Sequence, residues 1–216
     1  DQIGKILEGY KSLTKQEVTT ELQKSGILPT IDHVNLFLTW GEVEGIVCSG
    51  IDKGKKTTYA LLDERVPPTR ELCREEALAR LASRYFQSHS PAQLQDFVWW
   101  SGLTATECRL AINLIKTELI TETFDSREYF IHQSWKGKNE SKPVLRLLPA
   151  FDEYLISYKN RTDVLPLEHH PKAFNRFGTF YPVILYNGKI IGNWSRSIKK
   201  NTIQIEMDFF EKKPRI

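Results

Sequence analysis

Four groups of residues have the types and spacing to support chemistry. They are Gln93-Leu94-Gln95, Asp152-Glu153, His169-His170 and the three cysteines. Two amides could position a water or a sugar. On a helix, however, positions two apart point to nearly opposite sides, so Gln93 and Gln95 are expected to be surface residues rather than a convergent pair. Paired carboxylates can divide acid and base work, yet sequence neighbours rarely converge on one atom. With Lys159 and Arg161 close by, Asp152 is expected to make an ion pair or a capping bond, a role in an active cleft being the alternative. His169-His170 has no third ligand at recognisable spacing, so these read as loop histidines and no metal is expected. Cys48, Cys73 and Cys108 form no CxxC pair, which points to buried free thiols in a reducing compartment. No residue is assigned a catalytic role, and no cofactor is implied.

Cations that could meet a polyanion are more informative. The formal net charge is only +3. Residues 143–216 nevertheless carry 12 Lys/Arg against 7 Asp/Glu, whereas residues 1–66 carry 8 against 10 and residues 67–142 carry 10 against 10. Lys53, Lys55 and Lys56 surround a glycine turn, and Arg127 sits at a second turn. Arg196, Lys199, Lys200, Lys212, Lys213 and Arg215 flank a late hairpin and the tail. Such groups can neutralise phosphates, but lysines in exposed turns also serve solubility. Trp99 and Trp100 could stack on unpaired bases, though beside Phe97 and Val98 they read as core.

The elements that must position these groups recur. Residues 3–10 form a first short helix. Thr14-Lys15-Gln16-Glu17 is a capping box ahead of a second helix that stops at Gly26. A third helix is predicted over residues 32–42, with Val34, Phe37, Leu38 and Val43 inward. Two strands follow, residues 46–50 and 57–62, around Asp52-Lys53-Gly54-Lys55-Lys56. After the linker Arg65-Val66-Pro67-Pro68-Thr69 the order repeats. A helix spans residues 71–86, with Ala77, Leu78, Leu81 and Tyr85 inward. A second starts at Ser90-Pro91 and ends at Gly102. A third opens with the capping box Thr104-Ala105-Thr106-Glu107 and turns Leu110, Ala111, Leu114 and Ile115 inward. Strands 119–124 and 128–132 close the copy. From Pro143 the pattern is β, with strands at 144–148, 181–186, 189–194 and 202–209 and a tight turn at Asn187-Gly188. The stretch 151–177 resists assignment.

The expected fold class is therefore α+β. Two tandem winged-helix (helix-turn-helix) domains, residues 1–66 and 67–142, precede a small β-barrel-like domain, residues 143–216. A winged helix offers its third helix to the major groove and its hairpin to the phosphates. In the second copy this selects Thr104, Arg109, Asn113 and Lys116, the alternative being an ordinary solvated face. The third helix of the first copy offers His33, Asn35 and Thr39 with Glu42 and Glu44 at its end, and reads as a packing surface.

Several runs resemble a bacterial winged-helix family. They are Glu44-Gly45-Ile46-Val47-Cys48-Ser49-Gly50, Thr58-Tyr59-Ala60-Leu61, Asp63-Glu64-Arg65-Val66-Pro67, Asp96-Phe97-Val98-Trp99-Trp100-Ser101-Gly102-Leu103, Leu147-Leu148-Pro149-Ala150-Phe151-Asp152-Glu153-Tyr154-Leu155 and Gly192-Asn193-Trp194. That family is related to the AlkZ-like DNA glycosylases, which remove alkylated bases and unhook crosslinks. The resemblance implies a double-stranded DNA partner. It also implies a catalytic Gln-x-Gln or Gln-x-Asp motif in an N-terminal module that has no counterpart here, so a further N-terminal domain of the same protein is expected. The competing reading is a winged-helix transcriptional regulator or interaction module without repair activity. No apolar run approaches membrane-spanning length, and Asp1-Gln2-Ile3-Gly4-Lys5 lacks a signal-peptide pattern, so a cytoplasmic protein is expected.

Overall fold

A computed structural model describes residues 2–137 and 143–212. Lys213 and Arg215, two of the tail cations, lie outside the described residues. The chain divides into two compact units, residues 1–71 and 72–216.

In the first unit, α1 (Gln2–Leu7), α2 (Lys15–Lys24) and α3 (Ile31–Val43) pack against a three-stranded antiparallel sheet. Its strands, β1 (Leu13–Thr14), β2 (Val47–Ser49) and β3 (Thr58–Leu61), run in the order β1-β3-β2, and the short α4 (Leu62–Arg65) follows. Thr14 and Glu17 cap α2 reciprocally, as the sequence pattern requires. Leu7, Val18, Leu22, Val34, Leu38 and Val47 fill the core. Phe37 and Val43, expected inside, are 40% and 76% exposed. Gly41 explains why. It presses on Val47, whose Cγ2 would lie 2.8 Å from an added Cβ, so the buried stripe of α3 runs through Val34, Leu38 and Gly41. The apolar face beside that stripe is left open.

The second unit begins with α5 (Arg74–His89), α6 (Leu94–Ser101) and α7 (Ala105–Leu114). A 3-10 turn and the hairpin of β4 (Leu119–Phe124) and β5 (Arg127–His132) follow. Tyr85, Phe86 and Phe97 form an aromatic core with Leu78, Ala82, Cys108, Ala111 and Ile115. Leu110 and Leu114, expected inward, are 41% and 40% exposed, because the buried face of α7 passes through Cys108 and Ala111 instead. The helix expected to start at Ser90-Pro91 starts at Leu94. Ala92 is occupied by reciprocal backbone bonds with Phe130, which keeps this segment extended beside the hairpin. Of the three thiols, all free, only Cys108 is buried. Cys48 is half-buried and Cys73 exposed, contrary to the expectation of three buried groups.

The remaining strands, β6 (Leu145–Leu148), β7 (Val183–Tyr186), β8 (Lys189–Lys199) and β9 (Thr202–Phe209), form one antiparallel sheet in that order. Short helices α8 (Glu153–Ile156) and α9 (His170–Ala173) pack beside it. This corrects the expected barrel. The sheet is open, since among the described residues β6 pairs only with β7 and β9 only with β8, and closure would need edge strands long and staggered enough to meet. The pairing of β7 with β8 ends at Asn193, so beyond it β8 and β9 continue as a two-stranded ribbon.

The stretch that resisted sequence assignment stitches these parts of the second unit together. Lys159 N donates to Asp96 Oδ1 (2.8 Å), Trp99 Nε1 to the Ile156 carbonyl (2.8 Å) and Tyr158 Oη to the His89 carbonyl (3.0 Å). Asp152 caps α8 by accepting from Tyr154 N (2.9 Å). It makes no ion pair with Lys159 or Arg161 among the described residues.

Candidate functional site

The most prominent charged projection is the β8–β9 ribbon. Cross-strand register places Trp194, Arg196 and Ile198 opposite Met207, Ile205 and Ile203, so these six share one face. Ile198, Ile203, Ile205 and Met207 are 65%, 61%, 49% and 47% exposed. Lys199 and Lys200 stand at its tip, where Lys200 adopts φ 52°, and both are exposed, as is Arg196. The ribbon thus carries three cations and an uncovered apolar face. Sequence reasoning found the cations but not the apolar face, because cross-strand partners are set by register.

On α7, Arg109 and Asn113 are exposed one turn apart, and Lys116 follows in the adjoining 3-10 turn, also exposed. Thr104 is engaged differently. Its Oγ1 accepts from Glu107 N and its N–H donates to Glu107 Oε2, so the hydroxyl serves the helix cap. Glu107 is also ion-paired to Arg74, and these bonds hold its carboxyl below the ordinary carboxylate range.

The two turn clusters are partly neutralised. Lys53 Nζ donates to both oxygens of Glu17 at 2.8 Å, while Lys55 and Lys56 are exposed. Arg127 forms a bidentate pair with Asp163, at 3.1 and 3.0 Å, and its guanidinium lies 5.7 Å from the Tyr129 ring centre.

Gln93 and Gln95 do not converge. Gln93 is the N-cap of α6 and half-buried, whereas Gln95 is exposed. Trp100 is half-buried against Tyr85, as core packing requires. Trp99 is 45% exposed with Lys159 Nζ 4.6 Å from its ring centre, so only one of the pair is core. His169 meets Glu168 and Glu211 with ligand atoms within 4.8 Å of one another, a grouping that adjacent-histidine spacing could not reveal. Both carboxylates are largely exposed, and His169 is accounted for by these contacts and by the Phe210 ring 5.0 Å away. No described helix is long and apolar enough to cross a membrane.

The family model for AlkZ-like DNA glycosylases matches residues 1–213, and the chain belongs to that family. It is 25% identical over 209 residues to an interstrand DNA cross-link repair glycosylase of Streptomyces sahachiroi, covering 90% of this chain and 56% of that protein. The solved structure of S. sahachiroi DNA glycosylase AlkZ has a similar fold, with a TM-score of 0.74 at 21% identity, covering 99% of this chain and 60% of that one. The chain therefore spans less than two thirds of the length of the relatives it matches.

Proposed function

We propose that this chain is a DNA-binding portion of a repair glycosylase-like protein acting on alkylated or crosslinked DNA. In this reading residues 1–66 and 67–142 are winged helices and residues 143–216 are a third domain that grips the duplex. Family membership supports a role in repair, and the S. sahachiroi relative is named for cross-link repair. The observation that carries the contact surface is the ribbon, where Arg196, Lys199 and Lys200 stand exposed on a hairpin that no other strand covers among the described residues. Cations so placed neutralise phosphates and release counterions. Arg109 and Asn113 on α7, Lys116 in the 3-10 turn after it, and Lys55 and Lys56 between β2 and β3 add sequence-tolerant contacts. The α3 face does not join the footprint, because it presents Leu36, Phe37, Trp40 and Val43 and ends at Glu42 and Glu44.

Duplex binding across a salt series tests this. The double variant Lys199→Glu/Lys200→Glu should bind more weakly, with a log–log salt slope reduced by about 2. Unchanged binding removes the ribbon from the footprint. A palindromic sequence preference with a stable dimer would instead support the regulator reading.

A further inference from the structure

Each unit leaves one apolar surface uncovered. In the first, a groove of about 770 Å³ opens along α3, with Ile3, Leu22, Ile27, Leu36, Phe37 and Trp40 among its lining residues. Leu36 and Trp40 are 62% and 64% exposed, and Val43 at the end of the helix is 76% exposed. In the second, the ribbon turns Ile198, Ile203, Ile205 and Met207 to water on one face. Contiguous apolar patches of this kind mark interaction surfaces on folded proteins.

Charge decides what each surface accepts. Residues 26–50 contain three acids, Asp32, Glu42 and Glu44, and no Lys or Arg. Asp32 lies four residues before Leu36 and Glu44 four residues after Trp40, so an exposed carboxylate stands at each end of the apolar row. Neither is ion-paired among the described residues. The ribbon carries the opposite sign. Arg196 lies within its apolar face and Lys200 at its tip, and neither has an acidic partner among the described residues. The ribbon acids Glu206 and Asp208, opposite Ser195 and Asn193, belong to the other face.

Like surfaces do not fit each other. Two α3 faces would set acid against acid, and two ribbons cation against cation, which costs affinity. A groove and a ribbon match on both counts. We propose that copies of this chain associate by seating the ribbon of one copy in the α3 groove of another. Ile203, Ile205 and Met207 then pack against Leu36, Phe37 and Trp40, and the ribbon cations lie beside Asp32 and Glu44. Trp40 is the central anchor, since a large aromatic side chain desolvated in the middle of a contact carries much of the binding energy. Each copy has one groove and one ribbon, so the contact either closes as a reciprocal pair or continues from copy to copy. The inference goes beyond the DNA reading and does not rest on it.

Sedimentation velocity of the whole chain over a concentration series, with no nucleic acid present, tests it. The mass should rise with concentration above that of one chain. Trp40→Glu and Ile205→Glu, both at exposed positions, should each weaken association by about tenfold or more and leave the thermal melt unchanged. Mixing identifies the pairing. Trp40→Glu keeps an intact ribbon and Ile205→Glu an intact groove, so their equimolar mixture should form a 1:1 pair that neither forms alone. Should either variant fail to fold, Arg196→Glu should weaken association, and adding Asp32→Lys and Glu44→Lys to the same chain should restore it. A monomer at every concentration overturns the proposal and leaves the groove to a different protein. Association lost in Trp40→Glu but kept in Ile205→Glu also overturns it, by setting groove against groove, as does a mixture that stays monomeric.

Discussion

Lys53 and Glu17 form a two-pronged ion pair, with Lys53 Nζ 2.8 Å from each carboxylate oxygen, that ties the turn between β2 and β3 to the start of α2. Glu17 simultaneously accepts from Thr14 N at 2.7 Å, so one carboxylate closes the capping box and anchors the turn. Its pKa falls from 4.5 to about 2, chiefly through the bond from Lys53 and then those from Thr14. One of the three lysines of this turn is therefore already neutralised by an internal acid.

The first prediction concerns acid stability. The folded-state pKa of Glu17 is depressed, so its stabilising contribution is present above 4.5 and is lost as pH falls from there towards about 2. In Lys53→Met the Glu17 carboxyl should titrate closer to 4.5, and the first unit should lose less stability across that window. Carboxyl-detected NMR titration of both proteins measures this. A Glu17 that still titrates near 2 in the variant would show that Lys53 is not the main cause.

The second follows from charge rather than stability. Glu17→Gln removes the acid that competes with phosphate for Lys53. If the turn touches DNA, duplex affinity should rise and the salt slope should steepen by up to about 1. A slope identical to the parent's would place the turn outside the interface.

Arg127 offers the opposite case. Its bidentate bond to Asp163 links β5 to the segment after α8, with the two side chains 28% and 53% exposed. A pair this exposed adds little stability, because water screens it and two side chains must be held in place, so Arg127→Gln should cost little in a urea melt. It should also reduce duplex binding less than Lys199→Gln, because its charge is already engaged. An Arg127→Gln defect as large as that of Lys199→Gln would mean that phosphate displaces Asp163.

The ribbon depends on a close approach at its base. A Cβ added at Gly192 would lie 2.3 Å from the Asp208 carbonyl oxygen and 3.0 Å from Phe209 Cα, both backbone atoms. Gly192→Ala should therefore push β8 and β9 apart and destabilise the second unit by about 1–3 kcal/mol. Amide exchange should quicken at Gly192 and Phe209, whose pairing is lost first. Unchanged exchange there would show that the backbone yields without cost.

Much was legible locally because local rules decided it. The capping boxes at Thr14 and Thr104 appear where S/T-x-x-E patterns require them, and β4 and β5 turn at Asp125-Ser126, both with positive φ. Where the reading failed, a partner distant in sequence had intervened. Ser90-Pro91 looks like a helix start, but Phe130 claims the backbone of Ala92. The face assignments of α3 and α7 differ because Gly41, which presses on Val47, and the fully buried Cys108 weigh little in a hydrophobic pattern.

The sequence by itself determined the order of the longer helices and strands, the caps at Thr14 and Thr104, and the basic turns, since each depends on residues within a few positions of one another. Tertiary structure alone decided which cations stay free, how far β8 and β9 extend, and that Asp96, Arg161 and three tyrosines line one cavity. Those outcomes follow from pairing between residues far apart in the chain, such as Asp96 and Lys159, 63 positions apart, and no local periodicity encodes the partner. The open sheet has the same cause, because β strands announce their own pattern while closure depends on whether β6 and β9 can meet.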